Sequence, residues 1–121
     1  MDASAVAKQF VDFYYQTFDS NRQNLLPLYR PTSYLSFEGT QHAGANDIVE
    51  KLVSLPFQSV AHRVSTNDAQ PTPSGEIVIN VTGQLLIDGE SNPQFFTQTF
   101  VLKNDGTNFY VQNDIFRLVY A

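Results

Sequence analysis

A chain of 121 residues fits one ordinary domain, residues 1–121, and is long enough to bury an apolar core without a disulfide or a structural metal. The absence of cysteine excludes thiol catalysis, disulfides and every cysteine-ligated zinc or iron-sulfur site, and leans toward the cytosol or nucleus. Seven Lys and Arg against twelve Asp and Glu leave a formal charge of −5, which repels phosphate backbones and acidic membrane surfaces, so neither nucleic acid nor membrane is expected as a partner.

Val6, Phe10, Phe13, Tyr14 and Phe18 recur at three- and four-residue intervals and predict an amphipathic helix from Ser4 to Phe18, capped by Asp2 or Ser4. Asp19, Ser20 and Asn21 supply turn and cap chemistry before a short second helix through Leu25, Leu28 and Tyr29, shortened by Pro27 and ended by Pro31. Tyr34 to Phe37 reads as a brief strand and Glu38-Gly39-Thr40 as a turn. Ile48, Val49, Leu52 and Leu55 restore helical spacing from Asn46 to Leu55, and Pro56 closes this third helix.

Beyond Phe57 the period changes to two, with Val60, His62 and Val64 opposite Ala61, Arg63 and Ser65. Turn clusters at 70–75, 88–93 and 104–108 then separate strands near 76–87, 95–103 and 109–120, joined as successive hairpins. Helices followed by a meander predict an α+β layer in which the helices cover one face of a strongly curved sheet. Tyr110, Ile115 and the Phe-rich strands predict an apolar outer sheet face, and such a face usually signals association.

Few motifs carry chemistry. His42 and His62 sit on different elements without a second histidine at ligand spacing, so no metal site is expected, and His62 reads as a hydrogen-bonded, half-buried strand residue. No serine lies in a nucleophile-elbow pattern, and Gly39, Gly44, Gly75, Gly83, Gly89 and Gly106 are too isolated to cradle a phosphate, so no cofactor is expected. Glu38 follows Phe37, and Asp88 follows Leu85, Leu86 and Ile87, with Glu90 in the same turn. Acids placed after apolar side chains can rim an apolar hole, which suits a partner offering an aromatic flanked by Lys or Arg.

The sequence resembles the nuclear transport factor 2 family, and its fungal members above all. The likeness rests on Phe-Tyr-Tyr-Gln-Thr-Phe-Asp at 13–19, Leu-Tyr-Arg at 28–30, Phe-Glu-Gly at 37–39 and Asp-Ile-Val-Glu-Lys-Leu-Val-Ser-Leu-Pro-Phe-Gln at 47–58. Asp-Ala-Gln-Pro at 68–71, Thr-Gly-Gln-Leu-Leu-Ile-Asp at 82–88 and Asn-Asp-Ile-Phe-Arg-Leu at 113–118 extend it over nearly the whole chain. The resemblance implies a cone of three N-terminal helices packed on a strongly bent, mostly antiparallel sheet, dimerising through the sheet face, with Ile115 at the homodimer interface. It implies a non-enzymatic carrier that binds the GDP-bound form of the GTPase Ran, touches Phe-Gly-repeat nucleoporins and moves between cytoplasm and nucleus through the pore. A phenylalanine of Ran would enter a cavity walled by Phe37, Leu55, Phe57, Val60, Leu85, Ile87 and Phe116. Glu38, Asp88 and, more loosely, Glu90 would form the acidic rim. Asp2 to Ala7 contain no aromatic where animal members carry a tryptophan, and the turn from Asp88 to Pro93 is one residue longer than theirs, which leaves Gly89 or Glu90 as the match there. Two other functions fit the same cone. One is an isomerase or dehydratase in which Tyr14 and Tyr15 work with His62 or Asp114; the other is a Phe-Gly-binding scaffold dimer without Ran.

Overall fold

The computed structural model describes residues 2–120; Met1 and Ala121, the ends of the expected domain, lie outside the described residues. Helix α1 spans Ala3–Ser20, and the Asp2 side chain caps it by accepting from the Ser4 N–H at 3.0 Å. The helix stands where the spacing predicts, but its buried face is rotated from the expected one: Ala7, Val11, Tyr14, Tyr15 and Phe18 are buried, Val6 and Phe10 are partly covered, and Phe13 is 54% exposed. Asn21 is extended, so it stops α1, and its side chain accepts from the Gln23 N–H at 3.1 Å to start a 3-10 helix, Arg22–Leu28.

The second helix is therefore 3-10 rather than α, and it ends earlier than expected. Tyr29 already belongs to strand β1 (Tyr29–Phe37), with Pro31 inside it rather than closing a helix. The ladder to β6 breaks in register between Tyr29 and Tyr34, so the missing N–H of Pro31 falls where pairing is interrupted. The turn of β1 is also tighter than expected. Thr40 already pairs with Phe37 and opens a short edge strand, β2 (Thr40–Ala43), for which the sequence offered no alternation of its own. Helix α2 follows at Ala45–Val53, and strands β3 (Val60–Pro71), β4 (Ile77–Ile87), β5 (Gln94–Asn104) and β6 (Phe109–Leu118) complete the chain.

The six strands form one sheet in the order β2-β1-β6-β5-β4-β3, antiparallel throughout except for the parallel β1–β6 pair. Register shifts of the kind that bend a sheet leave Ser65 unpaired on β3 and Gln112 unpaired on β6, opposite Val101 and Leu102. Opposite the first shift lies Gly83, where a Cβ would stand 2.3 Å from the Arg63 carbonyl oxygen; only glycine admits that approach. Ile79, Val81, Phe96, Phe100, Leu102 and Val111 are buried in the core, where Phe96 and Phe100 meet α1 through Tyr15 and Tyr14, the latter wedged against Phe100 at 4.9 Å between ring centroids.

Candidate functional site

The strand directions decide which ends meet. β1 and β6 run parallel, β5 opposes β6, β4 opposes β5 and β3 opposes β4. The C-terminal ends of β1, β4 and β6 and the N-terminal ends of β3 and β5 therefore share one end of the sheet. The helices leave that end open, and a cavity of about 220 Å³ occupies it. Its lining brings together all seven expected wall residues, Phe37, Leu55, Phe57, Val60, Leu85, Ile87 and Phe116, and adds Phe18, Leu35, Leu52, Pro56, His62, Gln98 and Leu118.

The walls are held by rings and cations. Phe37 stacks on Phe116 at 4.7 Å, and Phe116 lies 5.8 Å from Phe96. The Arg22 guanidinium sits 4.9 Å from the Phe57 ring centre and donates to the Phe57 carbonyl at 3.2 Å, while the Lys51 ammonium lies 5.5 Å from the Phe37 ring centre. These contacts brace the walls of the hollow.

Glu38 and Asp88 both stand at the open end, at the C-termini of β1 and β4, with two strands between them in the sheet. Three interstrand spacings put them roughly 14 Å apart on a flat sheet and closer on a curled one. Among the described residues they are the two non-glycine positions with positive φ, 51° and 50°, and each precedes a glycine that also has positive φ. Two successive positive φ values are the geometry of a type I′ turn, so local backbone chemistry fixes both acids at the edge. Each carboxylate is also tied to backbone. Glu38 Oε1 accepts from the Leu118 N–H, and Asp88 Oδ1 accepts from the N–H groups of Gln58 at 2.9 Å and Ser59 at 2.8 Å. One oxygen of each acid has no such bond among the described residues and can accept from a cation. Glu90 follows in the turn, where its N–H donates to the Ile87 carbonyl at 2.9 Å and its side chain is exposed. The sequence missed this capping; the Glu-Gly and Asp-Gly pairs were the signal that could have found it.

His62 is hydrogen-bonded and half-buried as expected, its exposure falling on the backbone, since the side chain is only 3% exposed. Nδ1 meets Asp19 Oδ1 at 2.6 Å, and the ring stacks on Tyr15 at 4.1 Å. Behind the cavity floor lies a polar network. Gln98 donates to Asp114 Oδ1 at 2.8 Å and accepts from the Tyr15 hydroxyl at 2.7 Å; the Tyr29 hydroxyl donates to Asp114 Oδ2 at 2.8 Å, and Tyr14 and Tyr29 share a hydrogen bond of 2.5 Å. Burial pushes the Asp114 carboxyl up to about 6 despite the opposing hydrogen bonds from Gln98, Tyr29 and Tyr14, and burial likewise pushes the three tyrosines well above 10. Tyr14 and Asp114 thus meet, but Asp114 does not line the cavity.

Ile115 lies on the opposite face of the sheet, 51% exposed, between Ser36 of β1 and Thr99 of β5, and Phe95 and Tyr34 are exposed on the same face. Tyr110 is partly covered, with the Arg30 guanidinium 4.8 Å from its ring centre.

The nuclear transport factor 2 domain profile matches residues 6–118. Nuclear transport factor 2 of Kluyveromyces lactis is 58% identical over 122 aligned positions covering 100% of this chain and 98% of that protein, and the Saccharomyces cerevisiae protein of that name is 55% identical over the same coverage. The solved structure of nuclear transport factor 2 from Cryptosporidium parvum superposes with a TM-score of 0.90 at 43% identity, covering 95% of this chain and 93% of that one. With the bent sheet, the helices over one face and full-length likeness in agreement, the chain belongs to the nuclear transport factor 2 family, a family of nucleocytoplasmic transport carriers rather than enzymes.

Proposed function

We propose that this chain carries GDP-bound Ran, as a homodimer that also touches Phe-Gly-repeat nucleoporins during passage between cytoplasm and nucleus. The observation that supports it most is the preformed apolar cavity with Glu38 and Asp88 fixed at its edge. An apolar cavity of roughly 150 Å³ is enough for a benzene ring, so about 220 Å³ receives one phenylalanine with space to spare. A ring seated there contributes about 2 to 4 kcal/mol as a binding hot spot. The spare oxygens of Glu38 and Asp88 then accept from Lys or Arg beside that ring, adding register and on-rate, and the overall charge of −5 favours a basic approach surface. Discrimination between nucleotide states follows if Ran offers the ring in one state alone. Ile115, Phe95 and Tyr34 give the outer sheet face the apolar character that a second copy would cover.

Calorimetric titration with Ran loaded with GDP, then with a GTP analogue, tests the reading: heat of binding is expected for the first alone. Glu38→Lys is expected to stay folded and dimeric and to lose GDP-bound Ran, while Glu38→Gln keeps the acceptor for Leu118 and weakens binding less. Full retention of Ran by Glu38→Lys refutes the assigned rim.

A further inference from the structure

Carrier binding needs a ring and nothing polar at the bottom of the cavity, yet the floor is not apolar. Twelve of its fourteen lining residues are apolar, and the exceptions are Gln98 and His62. Gln98 is engaged on both sides, by Tyr15 and Asp114. His62 is not. A carboxylate offers only acceptors, so Nδ1 of His62 donates to Asp19, and in the neutral ring Nε2 carries a lone pair. The sealed, unpartnered side-chain polar atoms among the described residues belong to Arg22, His42 and Asn67; Nε2 of His62, also without a partner there, therefore still reaches open space. That space is this cavity, because His62 lines it and does not line the polar crevice beside Asp19. Tyr15 stacked on the ring, with Phe18 and Phe96 at its edges, fixes the lone pair's direction.

We propose that the cavity also binds small phenols, the ring filling the apolar hollow and the hydroxyl donating to Nε2 of His62. The proposal deepens the carrier reading, since the same hollow is used and a bound phenol competes with the aromatic anchor of Ran. Size and chemistry agree: the volume beyond a benzene-sized space leaves room for a hydroxyl, and a bare hydrocarbon ring would leave a buried acceptor unpaired. A para-alkylphenol is the simplest member of the class.

The test compares 4-methylphenol with 1,4-dimethylbenzene, nearly the same shape with the hydroxyl replaced by a methyl, by NMR titration of the unaltered protein and of His62→Phe. The affinity ratio favouring the phenol is expected to fall about 2- to 12-fold in the variant, the contribution of one neutral hydrogen bond. A ratio unchanged in a folded His62→Phe overturns the proposal. Should that variant not fold, the nitrogen NMR signal of His62 Nε2 in the unaltered protein decides: it shifts with the phenol and not with dimethylbenzene, or the proposal falls. Repeating the Ran titration with 4-methylphenol present separates the two readings. Phenol binding without Ran binding removes the carrier reading alone, whereas Ran binding without phenol binding removes this one.

Discussion

Asp114→Asn removes the one carboxyl that the fold holds in its core among the described residues. In the folded chain burial raises that carboxyl from the usual 3.8 to about 6, so the folded state keeps the proton over a pH range in which the unfolded chain has released it. Stability from this group is therefore fully present below pH 3.8 and is lost as pH rises through about 6, the reverse of a salt-bridged acid. At 1.36 kcal/mol per pH unit the whole displacement is worth about 3 kcal/mol, of which about 2 to 3 falls between pH 4 and 7.5. For a chain of this size that is on the order of 10 °C in Tm. Asparagine carries no charge to desolvate, so the variant escapes this loss. It does disturb the hydrogens shared by Tyr14 and Tyr29, but that cost is common to both pH values and cancels in the comparison. Urea unfolding of both proteins at one protomer concentration, at pH 4 and 7.5, is the assay. Relative to the unaltered protein the variant should gain about 2 to 3 kcal/mol on going to pH 7.5; an equal difference at the two pH values refutes the reasoning.

Asp88→Ala strips the acceptor from two backbone N–H groups and should lower stability by about 1 to 2 kcal/mol in urea, while Asp88→Asn keeps Oδ1 and stays within a few tenths. On the proposed function both weaken GDP-bound Ran in calorimetry, so the pair separates charge from capping. Ile115→Arg puts a charge on the exposed outer face and should leave helix content unchanged while shifting sedimentation toward a single chain. Gly83→Ala drives a methyl to 2.3 Å from the Arg63 carbonyl and 3.1 Å from Phe96, and should cost about 1 to 3 kcal/mol in urea, more than any change in exposed strand positions of β4.

The sequence disclosed most where one periodicity ruled a long stretch. Val6, Phe10, Tyr14 and Phe18 recur four apart, which made α1 readable without a fold although its buried face is centred nearer Ala7, Val11 and Tyr15, and β4 alternates buried and less buried positions from Ile77 to Leu86. It disclosed least where tertiary pairing overrode local preference. Leu28, Tyr29 and Pro31 read as the end of a helix because nothing local announces that β6 will pair with Tyr29 and then skip to Tyr34. Thr40 to Ala43 is a strand only because a two-residue turn folds it back on β1. The cavity wall came from the family resemblance, since Phe37, Phe57 and Phe116 lie far apart in sequence and meet only through strand order. Gln98 and the Asp19–His62 pair escaped because a contact over 43 residues leaves no spacing to read.

The placement of polar groups separates a carrier from a catalyst on this scaffold. A proton-abstracting site needs a carboxyl or imidazole facing the hollow and, opposite it, a donor that stabilises the charge developed on the substrate. Here Asp114 has both oxygens occupied, by Gln98 on one side and by Tyr29 on the other, and Gln98 stands between it and the cavity. His62 offers a lone pair, but the remaining lining holds no free donor aimed back at it, so a bound molecule would be recognised without being polarised. The charges that remain available, on Glu38 and Asp88, are at the mouth, anchored by backbone N–H groups that fix one oxygen and leave the other for a partner. A rigid apolar hollow loses little conformational freedom when filled, and fixed acids at its edge reward only a partner whose cations flank the inserted ring. On the proposed function, selectivity among proteins thus sits at the rim, and affinity for the ring sits within.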